Sequence, residues 1–64
     1  MSELELDKFL DDLKLEIDKG TAELDTIKLE IDKARVVGLD VRELTERYDG
    51  LCKQIELVKL TYKL

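Results

Sequence analysis

The side chains best equipped for chemistry here are carboxylates. Asp7 and Asp11, Asp12 and Glu16, with Asp18 close by, stand at the three- and four-residue spacings that bring side chains together on one face of a helix. An all-oxygen cluster of this kind suits calcium, but a run of acids at helical spacing reads first as a solvated face. The sequence has no histidine, which excludes Ser/His and Cys/His nucleophile systems and the Glu-x-x-His motif of di-iron bundles. Its single cysteine, Cys52, has only Lys53 and Lys59 as basic neighbours in sequence, and reads as a half-buried structural thiol. The one tight turn, Val37-Gly38-Leu39-Asp40, lacks the pattern of a phosphate loop. The expectation is a protein that is not an enzyme, with no cofactor and no metal site.

The elements that must position these residues are helices. Proline is absent, 42% of the residues are charged and 44% are apolar, the balance of long helices rather than of sheets or disorder. Apolar residues alternate at three- and four-residue steps in two series. One is Leu6, Leu10, Leu13, Ile17, Gly20, Leu24, Ile27, Ile31, Ala34; the other is Val41, Leu44, Tyr48, Leu51, Ile55, Val58, Tyr62. Both are heptad a/d seams. Ser2 with Glu5 forms a capping box, and Met1 with Leu6 a hydrophobic staple. Asp40 with Glu43, and Leu39 with Leu44, repeat the signature, while Gly38 is free to take the left-handed conformation that ends a helix. Helix 1 is therefore expected over about 3–36, a turn over 37–40 and helix 2 over about 41–63. The seam runs through Gly20-Thr21 without losing phase, so helix 1 is read as continuous. The fold class is all-α: one antiparallel two-helix coiled-coil hairpin, assembled into a four-helix or larger bundle.

Folding about residue 39 predicts that Ile31 meets Tyr48, Leu24 meets Ile55, Gly20 meets Val58 and Ile17 meets Tyr62. Helix 2 would then end opposite about residue 15. Leu4, Leu6, Phe9, Leu10 and Leu13 would project beyond it as an apolar arm that only a partner could cover. Away from the seam, Leu15, Ala22, Leu29 and Val36 recur every seven residues, and Leu57, Leu60 and Leu64 form a patch near the end of helix 2. Residues 7–20 and 21–34 also repeat each other, sharing the string Lys-Leu-Glu-Ile-Asp-Lys. Repetition of this kind builds a surface, not a pocket. The expected partner-binding residues are thus the arm, the Leu15, Leu29 and Val36 stripe, and the Leu57, Leu60 and Leu64 patch.

Size and charge narrow the partners. A 64-residue chain is marginal as a lone core, and with one cysteine and no metal site its natural support is another chain. The net charge is −5, all of it within residues 1–18, where seven carboxylates oppose Lys8 and Lys14. Such an arm disfavours phosphate backbones. No apolar run nears the roughly 18–20 residues a membrane span needs, the acidic start is unlike a signal peptide, and a lone cysteine fits the cytoplasm. The opening Met1-Ser2-Glu3-Leu4-Glu5, the Gly38–Asp40 turn and the hairpin layout resemble the type III secretion needle co-chaperones. That resemblance implies binding to a partner chaperone and a needle subunit. Thr45-Glu46-Arg47-Tyr48-Asp49 is similar in form to the Ser-Gln-x-Leu-Asp signature of the sporulation aspartyl-phosphate phosphatases, with Ser, Gln and Leu all replaced. Neither function is carried over. The leading expectation is a self-associating structural or adaptor hairpin in the cytoplasm that binds neither nucleic acid nor membrane. The alternative is a small inhibitor or co-chaperone that docks its acidic N-terminal helix on a larger helical protein.

Overall fold

The computed structural model describes residues 2–64. It is a hairpin of two helices, α1 (Glu3–Val36) and α2 (Arg42–Tyr62), packed against each other. α1 begins where Ser2, in extended conformation, accepts the Glu5 backbone N–H on its side-chain oxygen at 3.2 Å. This satisfies one of the amide groups that the first turn leaves without a helical partner. The Met1–Leu6 staple lies outside the described residues. α1 is unbroken through Gly20 and Thr21, and the Thr21 hydroxyl donates back to the Ile17 carbonyl at 2.9 Å instead of capping a new helix.

The end of α1 follows from Gly38. Its φ of 75° lets the Leu39 N–H reach the Ala34 carbonyl at 2.9 Å and its own N–H reach that of Arg35 at 3.0 Å. These are the paired bonds of a Schellman ending, open to glycine without steric cost. The start of α2 differs from expectation. Val41, not Asp40, is the residue before the first turn, and it offers no side-chain cap. Asp40 instead accepts the Arg42 N–H at 3.0 Å and takes the Arg42 guanidinium on both carboxylate oxygens, at 2.7 to 3.1 Å. Asp40 thus still satisfies a first-turn N–H, from one residue outside the N-cap position, while its exposed carboxylate also pairs with the Arg42 guanidinium. Leu39 stays exposed and is not buried by the staple expected with Leu44.

The register is displaced as well. A Cβ on Gly20 would lie 2.9 Å from the Ile55 Cδ1, so Gly20 faces Ile55 where Val58 was expected. Val41, just before α2, is half-buried. At Gly20 the contact thus lies about one turn nearer the start of α1 than expected, whereas Ile31 and Tyr48 line one groove, as the expected pairing has them. Among the described residues only Ile27 (5% exposed) and Ile31 (7%) are buried; the other seam positions are half-covered, except Leu6 and Tyr62 at the open end, which are exposed. The molecule measures 53 × 16 × 13 Å. Its radius of gyration is 15.4 Å, against roughly 11 Å for a compact chain of this length. It is a rod.

The two mid-helix glycines separate propensity from packing. Nothing lies within 4 Å of a Cβ placed on Gly50. Gly50→Ala should therefore raise stability in urea melts by about 0.5–1 kcal/mol. Gly20→Ala should raise it less, because the Ile55 side chain must give way. Equal gains would mean that Gly20 is not at the helix contact.

Candidate functional site

The surfaces able to act are those the hairpin leaves open. At the open end, Tyr62 reaches further down α1 than expected: its ring meets that of Phe9 edge-on, with centroids 5.7 Å apart. Leu10 and Leu13 are half-buried, and Leu13 shares a groove with Ile17, Leu51, Ile55 and Val58 whose rim is Glu16 and Gln54. The expected arm is correspondingly shorter. Leu10 and Leu13 are drawn into the intrachain contact, Phe9 touches Tyr62 while staying 38% exposed, and Leu4 (80% exposed) and Leu6 (46%) continue past it. The one-turn displacement of α2 is the cause.

The off-seam residues do stand in solvent. Leu15, Leu29 and Val36 are more than half exposed on the side of α1 facing away from α2, with exposed Ala22 between them. Leu57 and Leu60 are likewise open, and Leu64 less so. Leu64 is held close because Lys63 turns left-handed (φ 56°, ψ 44°) and the Leu64 N–H bonds the Lys59 carbonyl at 2.9 Å. Sequence reading missed Val37 and Leu39, which with Val36 make the hairpin turn itself apolar and exposed. The signal was there: three of the four residues at 36–39 are large and apolar, where a connecting turn is ordinarily polar.

Electrostatics ties the open surfaces to the seam at few points. Among the described residues, Arg47–Glu23 is the one ion pair that joins the two helices; Lys19–Glu16 (3.4 Å) and Lys33–Glu30 (3.7 Å) are solvated pairs along α1. Tyr48 is half-buried beside Cys52. Electrostatic interaction with Cys52, loss of solvent, a hydrogen bond to Cys52 and the carboxylates of Asp25 and Asp49 all push its hydroxyl above the usual tyrosine range. It stays protonated at neutral pH. Among the described residues no three Cys, Asp or Glu side chains converge where a metal could sit, and no helix is long and apolar enough to cross a membrane. No protein family, curated protein or solved structure compared with the chain matches it.

Two outcomes follow from this geometry. Leu13→Ala should destabilise the hairpin by about 1–2 kcal/mol, below the 2–5 of a fully buried leucine, whereas Leu6→Ala should leave the melting of dilute protein unchanged. Equal effects would return Leu13 to the unsupported arm. At the turn, the Arg42 guanidinium and backbone N–H hold the Asp40 carboxyl below its ordinary 3.8. Its contribution is present above that value and fades as pH falls through the lower folded-state pKa. The small melting-temperature gap between the wild type and Asp40→Asn at pH 6 should close on acidification; a gap unchanged at pH 2 would contradict the ion pair.

Proposed function

We propose that this protein is a non-enzymatic helix-binding module, a coiled-coil hairpin that associates with copies of itself into a four-helix or larger bundle and serves as a structural or adaptor element in the cytoplasm. The observation that carries this reading is surface area. The chain exposes 5390 Å², whereas a compact monomer of its mass exposes roughly 4,200 Å². The surplus is apolar where it matters. Leucines on the outer face of α1 and at the end of α2 are open, and two isoleucines are all the buried core among the described residues. Each large side chain left in water forgoes roughly 1.5–3 kcal/mol of burial, and a core this small leaves little stability from which to forgo it.

A second reading has its own observation. Exposed Leu4 and Leu6 alternate with Glu3, Glu5 and Asp7 at the start of α1, where the whole net charge of the chain is concentrated. This acidic apolar end suits a basic, helix-lined groove on a larger protein, as in a small inhibitor or co-chaperone.

Light scattering after size exclusion at micromolar concentration distinguishes the two. Self-association predicts a mass of at least twice 7.4 kDa and a melting temperature that rises with concentration. A cooperatively melting species of 7.4 kDa at every concentration would remove the first reading and leave the second.

A further inference from the structure

Resting on the self-association reading, we infer that the interface is the outer face of α1, and that it pairs with the same face of a second copy running parallel and in register. Leu15, Ala22, Leu29 and Val36 recur every seven residues on a face that α2 does not touch. A strict seven-residue recurrence stays on one line only when two helices wind lengthwise about each other, so the fitting partner is a long helix and not a pocket or a flat surface.

The residues beside the stripe identify that helix. Three positions after the first three stripe residues stand Asp18, Asp25 and Asp32; four positions after them stand Lys19, Thr26 and Lys33. On a helix, the i+3 and i+4 neighbours lie on opposite sides of a residue. The apolar stripe therefore has an aspartate border on one side and a lysine-bearing border on the other. Lys19 and Lys33 are free to serve, since their present bonds to Glu16 and Glu30 are solvated and weak.

Two copies can match this stripe about a twofold axis in two ways. In the antiparallel arrangement like borders meet: with Leu15 opposite Val36 and Ala22 opposite Leu29, Asp25 faces its own twin and Asp18 faces Asp32. In the parallel arrangement unlike borders meet: Asp18 adjoins Lys19 of the second copy, and Asp32 adjoins its Lys33. The stripe is self-complementary in charge only when the helices run the same way. The result is a four-helix array with α1 at its centre and α2 outside.

Single-cysteine variants test both the surface and the direction. With Cys52→Ser as background, Ala22→Cys should bring two thiols together across the axis and give a disulfide-linked dimer on mild oxidation at micromolar concentration. An equimolar mixture of Ala22→Cys and Leu29→Cys chains should yield mostly like-with-like dimers. Predominance of the mixed disulfide would establish the antiparallel arrangement and overturn the proposal. The double variant Leu15→Glu/Leu29→Glu should lower the mass in solution to one chain while keeping the helical circular dichroism, because neither side chain faces α2. If the wild type has dimer mass yet Ala22→Cys does not couple, this surface is wrong and self-association stands. If the wild type is monomeric, both fall together.

Discussion

Two helices in contact enclose a side chain only along the line where they touch. A residue on that line is covered from one direction by its own helix and from another by its neighbour, and its flanks stay open unless a third element arrives. That limit governs this molecule. The seam runs from Leu10 to Ala34 on α1 and from Val41 to Val58 on α2, yet among the described residues only Ile27 and Ile31, toward the Gly38 end, are buried. Elsewhere seam side chains reach an intermediate state that a third or fourth helix would convert to a core.

The same limit explains why the ends of the helices are so carefully made. With little burial to hold them, the terminal turns rely on local bonds: the Ser2 hydroxyl at the start of α1, the glycine-based ending at Val36–Leu39, and the left-handed Lys63 after α2. Lys63 adopts without a glycine what Gly38 does with one. Its conformation carries a steric cost of roughly 1–2 kcal/mol, set against the bond that it allows from Leu64 to Lys59.

Much of the architecture was legible in the residues. The two seams, the bounds of α1, the Ser2 cap and the role of Gly38 all rest on interactions between residues at most five apart in sequence, and local spacing reports those directly. What was misread depends on competition. Asp40 has the right identity for a cap and does accept the Arg42 N–H, but from one residue further out, with its carboxylate shared with the Arg42 guanidinium. The register error has the same origin. Heptads constrain pairing only modulo one turn, and the choice among turns falls to the path of residues 37–41. Phe9, Leu10 and Leu13 were consigned to a free arm by that one-turn error, while the stripe at Leu15, Leu29 and Val36 was found because exposure opposite a seam follows from helical geometry alone.

The turn at Gly38 also has a kinetic meaning. Each helix forms from contacts within its own length, and the first pairing between helices closes a loop of under twenty residues, between Ile31 and Tyr48. Short loops close in tens of nanoseconds and local topologies fold in microseconds to milliseconds. The hairpin should therefore assemble as a zipper, from the Gly38 end through Ile31 and Ile27 to Gly20 against Ile55, with Phe9 and Tyr62 meeting last. Its open end is then both the last part to form and the first to fray, and thermal opening parts Phe9 from Tyr62 and uncovers half-buried Leu10 and Leu13 before anything else.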